Sequence, residues 1–181
     1  MGQSGTNLDS ADILEFLNRL GERLQQPHRL YLLGGGALCL LGNTRRTLDI
    51  DYVGSDLPGQ DDVLSTAIRS LANEMHIEVE GVPIHQLIPL PQDFEKRHLR
   101  SGQYGNIIVY IFDPYSIAIS KLDRGFETDL QDVLFLIRRS FIDLSQLEHY
   151  ANIALQESGT FDMNPKDFKQ HLTALRYLLS N

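Results

Sequence analysis

The sequence predicts an α/β (α+β) fold: a small mixed-sheet core with flanking helices and a C-terminal helical subdomain. Three observations carry this expectation. Short strand-like runs bounded by glycine or proline occur at residues 30–33, 47–53 and 106–112. Segments with helical spacing lie between them, and the last third of the chain is helical by pattern throughout. With 181 residues the chain fits one domain with a helical appendage. The expected division is an α/β core with its N-terminal helix over residues 1–125 and a helical extension packed on it over 126–181.

In chain order, residues 10–24 read as an amphipathic helix, because Ile13, Leu17, Leu20 and Leu24 recur at helical spacing and Asp9 or Ser10 can cap it. Pro27 closes that segment. Leu30-Tyr31-Leu32-Leu33, stopped by three glycines, is an expected buried strand, followed by a short helix at 37–41. The strand at 47–53 is bounded by Gly54 and Pro58-Gly59. A helix is expected over 61–75, with Leu64, Ile68, Leu71 and Met75 inward. Residues 77–80 and 82–88 read as strands joined at Gly81, and 89–100 as a charged, irregular connection. Residues 106–112 are apolar on both faces, as a central strand should be. Asp113-Pro114 caps and opens a helix to about residue 123. Thr128-Asp129-Leu130-Gln131 is a capping-box pattern opening a helix to 139. Helices at 143–156 and from Asn164-Pro165 complete the chain, the last with Phe168, Leu172, Leu175 and Leu179 inward.

The formal net charge of -8 argues against a protein that coats nucleic acid through a broad basic face, while leaving room for local contact with an RNA end. Cys39 is the single cysteine, so no internal disulfide can form, and the histidines lack zinc-ligand spacing. The first residues lack the basic start and apolar core of a signal peptide. The apolar stretch at 30–42 is glycine-rich and too short to span a membrane. A cytoplasmic protein without a membrane partner is expected.

The chemistry concentrates between residues 33 and 53. On a strand, Asp49 and Asp51 point to one face with Cα atoms roughly 6–7 Å apart. Two carboxylates at about 4 Å repel by roughly 4 kcal/mol at an effective dielectric of 20. A divalent ion with a taste for oxygen ligands would relieve this; two solvated acids on an exposed strand are the plainer alternative. Gly34-Gly35-Gly36, between a buried strand and a helix, lets backbone amides approach an anion closely; a simple tight turn is the alternative. The stretch matches neither G-x-x-x-x-G-K-[ST] nor G-x-G-x-x-G, since Cys39 stands where the last glycine would be. Tyr104, Tyr110 and Tyr115 are candidates to stack a base, with core packing the stronger expectation. His28, His98, His149 and His171 are expected on surfaces or helix faces.

Leu33-Gly34-Gly35, a spacer of thirteen residues and Asp49-Ile50-Asp51-Tyr52 resemble the nucleotidyltransferase signature. The fuller pattern Gly34-Gly35-Gly36-Ala37-Leu38 with Arg45-Arg46-Thr47-Leu48-Asp49-Ile50-Asp51 is similar to abortive-infection type IV toxins and related minimal nucleotidyltransferase-like domains. A second block, Lys121-Leu122-Asp123-Arg124 followed by Asp129-Leu130-Gln131-Asp132-Val133, resembles the downstream toxin motif of a lysine, an arginine and paired acids. Lys121 falls on an otherwise apolar helix face, where an unpaired ammonium is costly. It should therefore reach either nucleotide phosphates or an acid such as Asp129. Asp129 and Asp132 have a second reading, as stabilisers of a helix start.

The resemblance implies a nucleotidyltransferase-type core that transfers a nucleoside monophosphate from an NTP to a hydroxyl of an RNA end or a protein. In that reading Asp49 and Asp51 hold Mg2+ or Mn2+. Gly34, Gly35 and Gly36 cradle phosphates, Arg45 and Lys121 offset triphosphate charge, and Thr47 supports the strand or the metal shell. A toxin-type enzyme with an antitoxin-type protein partner follows from the same resemblance. Active members of the superfamily usually take a third carboxylate from a neighbouring strand. The segment expected to supply it, residues 82–88, contains no acid, and His85 and Gln86 hold the corresponding places. Glu78 and Glu80 on the preceding strand are the substitutes. Without a third acid, the alternative is a catalytically inactive nucleotide-binding or partner-binding module. A third reading is a structural domain whose Asp pair is salt-bridged to Arg45 or Arg46.

Overall fold

The computed structural model describes residues 7–54 and 62–180. In chain order the elements are α1 (Ser10–Arg23), β1 (His28–Leu32), α2 (Gly34–Leu40), β2 (Asp49–Val53), α3 (Val63–Met75), β3 (Glu78–Val82) and α4 (Ile84–Leu87). A 3-10 turn at Phe94–Arg97 precedes β4 (Leu99–Tyr104) and β5 (Ile107–Ile111). Then come α5 (Pro114–Arg124), α6 (Glu127–Arg138), α7 (Leu144–Glu157) and α8 (Pro165–Ser180). The five strands form one mixed sheet in the order β3-β2-β1-β5-β4. A mixed α/β fold is thus what the chain adopts. The strand boundary expected at Pro58-Gly59 and the helix start expected at Asp61 lie outside the described residues.

The chain divides into two compact units. The first runs up to Pro83 and includes Leu99–Phe112; the second takes Ile84–His98 and everything from Asp113 on. The first unit holds the whole sheet. Its β1 pairs parallel with β5 and antiparallel with β2, while β2 pairs parallel with β3 and β4 antiparallel with β5. Leu30, Leu32, Ile50, Tyr52, Ile107, Val109 and Ile111 alternate along their strands and are buried. Together with Ile13, Phe16, Leu17 and Leu20 of α1 and Ile68 and Leu71 of α3 they make the core of this unit. Burying a large aliphatic side chain contributes about 1.5–3 kcal/mol, so this face determines how the sheet sits. The other face carries the intervening residues of each strand. Helix α1 is started by a capping box: Asp9 accepts from the amide of Asp12, and the Asp12 carboxylate accepts from that of Asp9.

The second unit is helical. Helix α5 packs against α6, α7 and α8, and α6 against α8. Asp113 caps α5 by accepting from the amides of Tyr115 and Ser116, and it is fully buried. Arg97 meets both of its oxygens, at 2.8 and 3.0 Å, and lies over the rings of Tyr115 and Tyr150.

Three local expectations are corrected. Residues 82–88 are not a strand: β3 ends at Val82, Pro83 breaks it, and Ile84–Leu87 forms a helical turn. The reason is the spacing of Ile84 and Ile88, both buried, around exposed His85, Gln86 and Leu87; that is period four, not two. Secondly, the irregular connection expected over 89–100 ends earlier, because Leu99 and Arg100 open an edge strand that runs to Tyr104. It shows little apolar alternation because it pairs on one side only. Thirdly, the capping box at Thr128 does not form: α6 starts one residue earlier behind Phe126, which makes no side-chain cap bond.

Candidate active site

Strand β2 presents Asp49 and Asp51 on the sheet face away from the apolar core, between buried Ile50 and Tyr52. Its parallel neighbour β3 runs in register, with Glu78 opposite Asp49 and Glu80 opposite Asp51. Partnered residues on adjacent strands point the same way, so all four acids share one face. Asp49, Asp51 and Glu80 each offer a carboxylate oxygen within 4.8 Å of the other two. The third carboxylate is therefore present: it comes from Glu80 on β3, not from the segment after it. Glu78 shares the face but stands outside this group. His85 lies on α4 in the other unit and is no part of the sheet.

The surroundings hold the acids in place. Thr47 is buried, pairs its backbone with Leu8 in both directions and directs its hydroxyl to Asp49 Oδ1 at 3.3 Å. The Leu33 amide donates to the Asp51 carbonyl at 2.9 Å, which ties the glycine turn to β2. Gly34 adopts φ +60°, and a Cβ there would come 1.8 Å from Asp51 Oδ2. A Cβ on Gly35 would lie 2.5 Å from Thr47 Oγ1 and 3.0 Å from Thr47 Cβ, with a guanidinium nitrogen of Arg45 at 3.5 Å. Both glycines are thus required by close approach. Gly36 is different, since a Cβ there meets nothing nearer than 3.6 Å. The thiol of Cys39 donates to the Arg45 carbonyl at 3.1 Å and anchors the loop that carries Arg45. Arg46 pairs with Asp9.

The second sequence block forms a separate cluster in the helical unit. Lys121 is 3% exposed, and its ammonium sits 3.1 Å from Asp129 Oδ1 and 2.7 Å from Asp132 Oδ2. Arg124 also reaches Asp129, at 2.6 Å. Burial alone would push the Asp129 carboxyl up, but the Arg124 hydrogen bond and the Lys121 charge outweigh it and hold the pKa below the ordinary value. Of the two partners the sequence offered Lys121, the acid is the one seen.

The donor set on β2 and β3 suits a hard divalent ion: three carboxylates, no nitrogen or sulfur, gathered on one face. The missing Cβ of Gly34 leaves the Asp51 carboxylate the room it uses. Sequence reasoning offered Glu78 and Glu80 together as substitutes, because their spacing of two puts both on one face, and it did not separate them. What placed it was the register of β3, which no local pattern encodes.

An acid–apolar–acid strand beside a glycine-opened helix, with a third acid in register on the next strand of a mixed sheet, defines a nucleotidyltransferase-like domain. The chain belongs to the family described as nucleotidyltransferase of unknown function (DUF6036), which matches residues 10–175. No curated protein and no solved structure matches it. Membership implies a nucleoside triphosphate substrate and a divalent metal, and the carboxylate triad meets the second requirement. Among the described residues no helix is long and apolar enough to cross a membrane.

Proposed function

We propose that this protein is a magnesium- or manganese-dependent nucleotidyltransferase that moves a nucleoside monophosphate from an NTP to a hydroxyl of an RNA end or a protein. The observation that carries this reading is the convergence of Asp49, Asp51 and Glu80. A binding module without turnover was the alternative for a chain lacking a third acid, and the register of Glu80 favours the enzyme. In the reaction the acceptor oxygen bonds to the α-phosphorus and the bond to pyrophosphate breaks. The acceptor proton leaves to a carboxylate or to solvent. A divalent ion at the triad, when bound, supplies charge neutralisation for the attacking and departing oxygens.

The remaining work belongs to the chain. Asp49, Asp51 and Glu80 would hold the ion, and Thr47 fixes the Asp49 carboxylate through its hydroxyl. Gly34 brings backbone close to Asp51 and Gly35 brings it close to Thr47; the phosphates would run along the turn these two form with Gly36. Arg45, beside Gly35, offsets their charge. The clamp of Asp129 and Asp132 on Lys121 supports a positioning role for this lysine within the helical unit, in place of a direct hand on the phosphates. A cytoplasmic, toxin-type enzyme restrained by an antitoxin-type protein extends this reading from the resemblance of the two sequence blocks.

The test is incubation with labelled NTPs, Mg2+ or Mn2+, and total RNA or a protein extract. Label should enter one acceptor class and vanish with Asp49→Asn or Glu80→Gln. Retained metal-dependent nucleotide binding without any transfer would replace the enzyme by the binding module.

A further inference from the structure

The sheet face that carries the acids also carries a pair of stacked rings. Leu32 pairs with Tyr52, so the residues one step away, Tyr31 on β1 and Val53 and Asp51 on β2, lie on the opposite, acid-bearing face. Tyr31 in turn pairs with Tyr110 on β5. Their rings stack with centroids 5.3 Å apart and an interplanar angle of 20°. Neither tyrosine belongs to the buried core; both are half-buried. All these residues are in the same unit as the triad.

We propose that Tyr31, backed by Tyr110, is the stacking surface for the base of the incoming nucleoside triphosphate. The proposal rests on the nucleotidyltransferase reading above and names the part of the substrate that the acids do not address. Three geometrical facts support it. Strand order places β2 and its carboxylates on the side of Tyr31 away from Tyr110. Tyr31 is opposite Val53, two residues from Asp51, which sets the Tyr31 and Asp51 Cα atoms about 8 Å apart by strand spacing and rise. A ribose bridges such a gap when the α-phosphate is at the triad and the base is against the ring. Finally, the near-parallel stacking on Tyr110 fixes the Tyr31 ring before a ligand binds, which reduces the ordering cost of binding. Every base has a π-face, so the surface selects a nucleotide over a bare polyphosphate without choosing among the four bases.

The experiment compares a non-hydrolysable ATP analogue with inorganic tripolyphosphate, each with Mn2+, by isothermal titration calorimetry. Tyr31→Ala should weaken the analogue roughly tenfold or more and leave tripolyphosphate unchanged, while Tyr31→Phe keeps wild-type affinity for both. Analogues of GTP, CTP and UTP should lose affinity in the same direction. Equal analogue affinity in wild type and Tyr31→Ala overturns the stacking role while the triad reading stands. Wild-type protein that binds neither probe overturns both. If Tyr31→Ala fails to fold, the wild-type protein still decides by NMR. The Tyr31 and Tyr110 ring protons should shift upfield with the analogue and not with tripolyphosphate, and no analogue-specific shift overturns the proposal.

Discussion

Asp51 and Glu80 face each other directly across the parallel β2–β3 pair, and Asp49 and Glu78 repeat the arrangement one pleat away. Like charges opposite one another destabilise a sheet, so this strand pair carries a strain that an ion can lift. The acids sit where repulsion is worst for the fold and most useful for holding a cation. That conflict between local stability and site chemistry marks a functional surface.

The first prediction follows from it. Millimolar Mg2+ or Mn2+ should raise the melting temperature of the wild-type protein, by an amount equivalent to about 2.7 kcal/mol when the ion is at a hundred times its Kd. Glu80→Gln should melt at or above the wild-type temperature without metal and should lose most of the response. A thermal shift titration measures both. A full metal response in Glu80→Gln would remove Glu80 from the site.

The glycine turn gives a sharper contrast. Gly34→Ala combines a left-handed backbone with a Cβ 1.8 Å from Asp51 Oδ2. The backbone alone should cost about 1–2 kcal/mol, and displacement of Asp51 should weaken Mn2+ binding as well. Gly36→Ala meets only ordinary contacts inside a helix and should be neutral or gain about 0.5–1 kcal/mol. Urea unfolding and Mn2+ titration of the two variants should separate them; similar costs at both positions would contradict the geometry.

Lys121→Met should cost about 3–5 kcal/mol, because it leaves the buried carboxylates of Asp129 and Asp132 without their shared cation. Combining it with Asp129→Asn and Asp132→Asn should recover much of that loss, since the charges disappear together. Equilibrium unfolding of the single and triple variants is the measurement. A single-variant cost under about 1 kcal/mol would show that the pair is not structural.

The same cluster sets an acid limit. The folded pKa of Asp129 is lowered from 3.8, because the Arg124 and Lys121 interactions overcome the opposing effect of burial. A lowered carboxyl pKa contributes stability that is fully present above the unfolded value and is lost as pH falls through the folded one. Stability against urea should therefore fall below about pH 4 more steeply in the wild type than in Asp129→Asn. Parallel slopes for the two proteins would assign the acid sensitivity elsewhere.

The site is partly legible in the sequence alone. Period-two spacing put Asp49 and Asp51 on one face, and the same spacing flagged Glu78 and Glu80 as a pair. The close approach of Gly34 to Asp51 gives a steric reason for the glycine that the sequence marked as a turn. Elements with strong periodicity, such as α1 with its Asp9 cap, follow from local pattern alone. Residues 82–88 misled because a β-like apolar composition concealed the four-residue spacing of Ile84 and Ile88. Strand β4 escaped notice because an edge strand with Arg100, Ser101 and Gln103 buries too little to show alternation.

From the residues alone come the fold class, the glycine turn, the acid pair and the need of Lys121 for a partner. Each rests on local spacing, or on the cost of leaving a buried charge alone. Tertiary structure decided which acid joins the pair, that Lys121 spends its charge on Asp129 and Asp132, and that Tyr31 and Tyr110 stand on the acid-bearing face. These depend on strand order and register, contacts between residues distant in the chain. A one-residue slip of β3 would turn Glu80 to the opposite face without changing a single local pattern.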